Sequence, residues 1–229
     1  MPIIQVPTPH METSQAFYDK LGFKQKDYPE GTLLTGGEQL QILINSERTS
    51  RVGLRFYNKD WKSLTARSNW SYPTSSTKEG YLVTSPGGCP VYLINDREPI
   101  RSDNTIPKRI ALGNFNGLSI ETNAIEKSIL FWNQLGFKQT SGNPEQGWVS
   151  LEGESGFAIS LMKYNCCPHL FLNPSLNFFN GKNNPEIIQN IRQLGISITE
   201  EITVFNENGE VDNIIVQDPG GLGFFIFND

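Results

Sequence analysis

One decapeptide is written twice in this chain. "FYDKLGFKQK" begins at Phe17 and "FWNQLGFKQT" at Phe131, an offset of 114 residues. A second pair follows in the same order: "SPGGCPVYLIND" (85–96) and "DPGGLGFFIFND" (218–229) share Pro-Gly-Gly, an apolar run and Asn-Asp. Their prolines, Pro86 and Pro219, stand 133 apart, so the second copy carries 19 more residues between the two matches. Two matches in the same order imply a duplication. A chain of 229 residues then divides into two units of ordinary domain size. Domains are expected at 1–96 and 109–229, with the polar, proline-containing "REPIRSDNTIPK" (97–108) as linker.

Within each half the pattern is strand, helix, strands. "PIIQV" is a short apolar strand, and Thr8-Pro9 offers an N-cap with proline at the first helical position. Ser14, Phe17, Tyr18 and Leu21 recur at three- and four-residue steps on one helix face, and Gly22 is placed to end it. In "QLQILI" (39–44), Leu40, Ile42 and Ile44 face one way and Gln39, Gln41 and Leu43 the other. "VGLRF" opens another strand, and 59–68 a helix containing Trp61 and Leu64. In the second half "GLSIE" is a strand and Asn123 with Glu126 resembles a capping box. Ile125, Ser128, Ile129, Trp132 and Leu135 line a helix that Gly136 stops. "WVSLEG", "FAISLM" and "HLFL" read as strands. Asn184-Pro185 opens a helix with Ile187, Ile188, Ile191 and Leu194 inward, ended by Gly195. "ISITEEITVF" and "VDNIIVQD" then form a hairpin turning near Asn208-Gly209. Four strand–helix–strands modules are expected.

"SQAFYDKLGF" and "KSILFWNQLGF", each after a short strand, with Pro-Gly-Gly before each closing strand, resemble the vicinal oxygen chelate superfamily. That superfamily includes glyoxalase I, extradiol dioxygenases, fosfomycin-modifying enzymes and bleomycin-resistance binding proteins. The resemblance covers both halves and implies an α+β fold: four βαβββ modules pairing into two half-open mixed β-barrels with helices on the outside. A curled eight-stranded sheet leaves room for one small ligand. Phe17, Leu21, Trp132 and Leu135 are then core residues and not ligand contacts.

The family's enzymes hold a divalent metal with two histidines and two carboxylates or glutamines, taken from the first and last strands of paired modules. Such a donor set with open positions suits Lewis-acid chemistry on a chelating substrate. Carried onto the first half, the positions fall on Ile3, on Gln41 or Ile42, on Arg51 and on Tyr92. In the second half they fall on Gly117, Ser160, His169 and Phe225. His169 alone matches, and one imidazole does not hold a catalytic metal. The chain has two histidines, His10 and His169, in different halves. Neither a metal nor another cofactor is expected.

Arg51 and Arg55 share parity on one strand, as do Tyr92 and Ile94 on the closing strand. If the parity of Arg51 faces the cleft, a guanidinium with a phenol suits an anionic or aromatic ligand. Otherwise the arginines pair with acidic side chains. Phe225 would make the second cleft's floor apolar, with His169 as its polar handle. Cys166-Cys167-Pro168-His169 invites a thiol–imidazole reading, but adjacent cysteines on extended chain point apart and no orienting acid is apparent. The Pro-Gly-Gly segments match neither a P-loop nor a dinucleotide fingerprint and read as tight turns.

A net charge of −5 leaves no polybasic face for nucleic acid. No apolar run approaches the roughly 20 residues that span a bilayer, and "MPIIQVPTPH" lacks the features of a signal peptide. Three cysteines without zinc-knuckle spacing form no disulfide framework. The expectation is a cytoplasmic monomer or homodimer that sequesters, senses or carries a small organic ligand without metal. Its candidate contacts are Gln41, Arg51, Arg55, Tyr92, His169 and Phe225. Two further readings stay open: a metal-dependent lyase or dioxygenase with displaced ligands, and a structural or interaction module whose clefts are filled by its own side chains.

Overall fold

Sixteen strands and four α-helices build two sheets of eight strands each in a computed structural model that describes residues 1–58, 60–67, 69–95, 107 and 109–228. The first module runs β1 (Ile3–Pro7), α1 (Met11–Lys20), β2 (Lys24–Tyr28), β3 (Gly31–Gly37) and β4 (Leu40–Asn45). The second runs β5 (Gly53–Tyr57), α2 (Trp61–Thr65), β6 (Thr74–Ser76), β7 (Gly80–Thr84) and β8 (Pro90–Ile94). Their strands order as β2-β3-β4-β1-β5-β8-β7-β6, with β1 antiparallel to β5 at the join. The second half repeats this with β9 (Phe115–Thr122), α3 (Ile125–Gln134), β10 (Lys138–Asn143), β11 (Trp148–Glu152) and β12 (Ala158–Lys163). Its last module is β13 (Ser175–Phe179), α4 (Asn184–Gln193), β14 (Ile198–Ile202), β15 (Asn213–Gln217) and β16 (Gly223–Phe227). The order β10-β11-β12-β9-β13-β16-β15-β14 is the same. Each half is therefore two βαβββ modules in one half-open mixed sheet, the α+β arrangement expected. The expected linker, 97–108, lies outside the described residues apart from Pro107.

Register locates the added residues. The offset is 114 at Thr8 and Thr122, 117 at Ile42 and Ile159, 122 at Leu54 and Leu176, and 133 at Val91 and Phe224. Growth thus falls between β9 and β12, on the β12–β13 connection, and most of all in the last module. There the helix has ten residues against five in α2.

Three local expectations need correcting. Helix α1 starts after His10 rather than Thr8. The Thr8 hydroxyl instead accepts from the His10 amide (3.3 Å) and bonds Ser14 Oγ (2.7 Å), which fastens the first turn to β1. Residues Thr122 and Ser128, 114 further on, repeat this at 3.1 Å, so Asn123 and Glu126 form no capping box. "HLFL" (169–172) is not a strand, because the chain there crosses the sheet and pairing begins only at Ser175.

One apolar core serves both halves. Ile4, Val6, Ile42 and Leu54 of the first sheet and Leu118, Ile120, Ile159 and Phe224 of the second belong to a single buried cluster with Tyr18, Phe131 and Trp132 of the helices. The helices lie outside each half-barrel, and the inner faces of α1 and α3 pack into the shared core. Phe17 and Tyr18 meet Phe224 at 5.9 and 6.2 Å, while Trp132 meets Phe56 at 6.5 Å. The Pro-Gly-Gly turns take part in this join. A Cβ on Gly87 would lie 2.6 Å from Ile120 Cγ2, and one on Gly220 2.5 Å from Val6 Cγ1. Each glycine lets a turn of one half approach the first strand of the other.

Candidate functional site

The sheet face away from the shared core forms one cleft in each half. In the first half it carries Ile3 and Gln5 on β1, Leu33 on β3, Gln41 and Leu43 on β4, and Arg55 and Tyr57 on β5. Ile3 and Leu43 have no exposed surface and, with Leu33, Tyr28 and Tyr57, form a separate apolar cluster. Arg55 is 3 % exposed. Its Nη1 donates to Gln5 Oε1 (3.0 Å) and pairs with Glu30, its Nη2 reaches Glu79 Oε2 (3.2 Å), and its guanidinium lies 5.6 Å from the Tyr57 ring centre. Burial pushes the Tyr57 phenol well above its usual range. Arg55 is thus tied up in internal pairing, the second of its two alternatives.

Arg51 does not join it. The strand begins only at Gly53, so Arg51 is exposed and donates from Nη1 to the carbonyls of Ser50 (2.7 Å) and Arg48 (3.2 Å). It lines a surface pocket of about 390 Å3 with Thr8, Arg48 and Gly220, at the end of β1. Tyr92 lies opposite Arg55 in register, but its hydroxyl accepts from the Arg51 amide (2.7 Å) and donates to the Arg51 carbonyl (2.9 Å). Gln41 is on the cleft face and 8 % exposed. A groove of about 600 Å3 between the end of α1, Arg109 and α4 belongs to neither cleft.

The second cleft differs. The connection 164–174 crosses it as a strap: the Leu170 amide donates to Glu200 Oε2 on β14 (2.7 Å), and Asn173 Nδ2 donates to the carbonyls of Gly87 (3.0 Å) and Glu121 (3.3 Å). His169 enters the cleft from this strap, not from a strand. Its ring packs edge-on against Phe225 (5.4 Å) and Phe227 (5.3 Å), and Phe171 packs on Phe225 at 4.9 Å. His169 and Phe225 are therefore in contact.

Beneath the strap lies a feature not anticipated from sequence. Ser150, Ser160, Ser119 and Ser175 are direct partners across β11, β12, β9 and β13. Their neighbours Val149, Leu151, Ile159, Leu161, Leu118 and Ile120 all point into the shared core, so the four hydroxyls form a row on the cleft face. Ser119 is bonded by Asn177 Nδ2 and Ser175 bonds the Leu172 carbonyl, which seals that end, while Ser150 and Ser160 remain half-buried. The matching row in the first half is Leu33, Leu43, Gln5 and Gly53. Trp148, 45 % exposed, shares the serines' face of β11 and stands opposite Met162.

Glu121, also opposite Met162, is 7 % exposed. Burial raises its carboxyl above the usual range, against the pull of the Asn165 amide and the charge of His169. Cys167 Sγ lies 4.0 Å from Met162 Sδ, and burial pushes its thiol up to about 11, which makes it a poor nucleophile.

A metal of the kind the fold's enzymes hold does not fit either cleft. In the first, the Arg55 guanidinium already supplies the positive charge among Gln5, Glu30 and Glu79. In the second, β9, β12, β13 and β16 present Ser119, Ser160, Asn177 and Phe225, and Glu121 with His169 adds one carboxylate and one imidazole. No group of three or more His, Cys, Asp or Glu that could hold an ion is assembled among the described residues.

No family model matches the sequence, and no curated protein does. Solved structures do match in fold. A catechol 2,3-dioxygenase aligns over 97 % of this chain and 85 % of its own, at a TM-score of 0.58 and 12 % identity. The homoprotocatechuate 2,3-dioxygenase of Arthrobacter globiformis aligns over 97 % and 78 %, at 0.58 and 15 %. An extradiol ring-cleaving dioxygenase from B. fuscum aligns over 99 % and 70 %, at 0.59 and 15 %. The likeness is one of fold: these dioxygenases share the paired half-open sheets of this chain, the arrangement that the resemblance to the vicinal oxygen chelate superfamily implies. Among the described residues no helix is long and apolar enough to cross a membrane.

Proposed function

We propose that this protein binds a small organic molecule without a metal, through its second cleft, with domains 1–96 and 109–229 joined by 97–108. The observation that carries this reading is the contrast between the two floors. Leucines and the Arg55 pairs seal the first cleft, while Ser150 and Ser160 stay half-buried in the second beside Trp148, Glu121 and His169. The first cleft then serves as scaffold. A cytoplasmic monomer or homodimer without a nucleic-acid partner belongs to the same reading, supported by the net charge of −5. Ser160→Leu copies the first cleft's Leu43 into the second and tests it. Thermal shifts produced by fragment ligands should vanish in that variant and persist in Arg51→Gln; the reverse pattern defeats the reading.

The second reading is catalytic. Most of the solved neighbours are dioxygenases, which favours an enzyme over a carrier, and His169 acts electrostatically on the raised Glu121 carboxyl, as an acid–base pair would. Its metal-dependent form needs ligands the strands do not supply. Incubation with Fe(II), desalting, elemental analysis and oxygen-uptake assays on catechols separate the two. Iron well below one equivalent and no uptake are expected; stoichiometric iron with turnover would establish the catalytic reading instead.

A further inference from the structure

The two clefts handle charge in opposite ways. Arg55 sits on β5 opposite Tyr92, and the residue in the same place of the second half is Asn177 on β13, opposite Phe225. The first cleft therefore contains its own buried cation between Glu30 and Glu79. The second has a neutral amide at that position and a carboxylate, Glu121, that is 7 % exposed. Among the described residues, His169 is the basic side chain whose charge acts on it. Glu200 reaches the strap from the far edge of the same cleft. An anionic ligand on Ser150 and Ser160 would meet the Glu121 carboxylate. A ligand ammonium would supply the positive charge that Arg55 supplies in the first half.

The floor specifies the rest of the ligand. Each serine hydroxyl both donates and accepts, so a row of them matches other hydroxyls better than it matches a carbonyl or an apolar edge. Neighbouring strands lie about 4.8 Å apart, close to the separation of alternate equatorial hydroxyls on a six-membered ring. Trp148 stands two residues along β11 from Ser150 on the same face with its ring half-exposed, a flat wall for the C–H face of such a ring. We propose that the second cleft takes a small hydroxylated amine, an amino sugar or amino alcohol, with its hydroxyls on Ser150 and Ser160 and its ammonium at Glu121. This rests on the second cleft being the ligand site.

Calorimetric titration of the full chain with glucosamine, serinol, glucose and glucuronate tests it, on wild type, Glu121→Gln, Ser160→Leu and Ser160→Ala. Glucosamine or serinol should bind saturably, glucuronate should not, and glucose should bind about thirtyfold more weakly than glucosamine, as expected for loss of one charged partner. Glu121→Gln, which keeps the shape of the side chain, should reduce glucosamine to the level of glucose. Ser160→Ala weakens binding of both sugars and guards against misfolding of Ser160→Leu. No saturable binding of either amine, or binding unaffected by Glu121→Gln, overturns the proposal. If glucose or glucuronate binds best and Ser160→Leu abolishes it, the ligand class is wrong while the cleft assignment stands. If no probe's binding depends on Ser160, the cleft assignment falls as well.

Discussion

Tyr18 donates its phenolic hydrogen to Asp218 Oδ2 across 2.7 Å, joining helix α1 of the first half to the turn before the last strand of the second. The other carboxylate oxygen accepts from the amides of Leu222 (2.7 Å) and Gly220 (2.9 Å). The matching residues, Trp132 and Ser85, are not so joined: Ser85 Oγ accepts from the Cys89 amide (3.1 Å), and the buried Trp132 Nε1 has no partner among the described residues. The charged member of the arrangement therefore occurs on one side only.

Burial raises Asp218 to about 6 despite these donors. An unfolded aspartate titrates near 3.9, so the folded chain holds this proton more tightly. The contribution to stability is full below about pH 4 and is lost as pH rises through about 6. Relative to Asp218→Asn, wild type should lose on the order of 2–3 kcal/mol between pH 4 and 7. Urea unfolding at both pH values measures the difference; a pH-independent gap would show that Asp218 is not buried as described.

Close approach at the join gives a second expectation. Gly220→Ala places a methyl against Val6 Cγ1 and 2.9 Å from the Pro7 carbonyl, and should cost about 1–3 kcal/mol. Gly37→Ala meets nothing within 4 Å and should stay within about 0.5 kcal/mol of wild type. Equal melting temperatures for the two variants would count against the join.

Arg55 supplies a third. Arg55→Met leaves Glu30 and Glu79 without their guanidinium and should destabilise the chain by about 3 kcal/mol. Adding Glu30→Gln should restore part of that loss, because one unpaired carboxylate is removed. A double variant no more stable than the single one would mean that Glu30 is not held by Arg55.

The cysteines should react unequally. Cys166 is exposed, whereas burial holds Cys167 at about 11 and Cys89 at about 12. Iodoacetamide near pH 8 should label Cys166 first and Cys167 more slowly, with Cys89 following only in denaturant. Peptide mapping by mass spectrometry reads the order directly, and early labelling of Cys167 would contradict the strap's packing.

The repeated helix and the Pro-Gly-Gly turns made the modules legible because helix periodicity and turn chemistry are local. The site was less legible. Parity linked Arg51 to Arg55, but the strand starts at Gly53, and parity has no meaning outside a strand. His169 looked like a strand residue because "HLFL" is apolar; His169, Phe171 and Leu172 pack inward from a crossing strap instead, and Leu170 is exposed. The serine row depends on register between distant strands, which no single segment encodes. A trace of it was present in "LSI", "VSL" and "ISL", each a serine between core residues, where the first half has leucine in "ILI". Arg55's pairing with Glu30 and Glu79 likewise needs two turns brought together by the sheet.

Amide chemical-shift mapping with a small-fragment library tests the central claim most directly. Perturbations should gather on β11, β12 and the strap 164–174, around Ser150, Ser160 and His169, and leave Gln5, Leu43 and Arg55 unmoved. Perturbations centred on Arg55 and Gln5, with the serine row silent, would contradict the assignment of the working cleft.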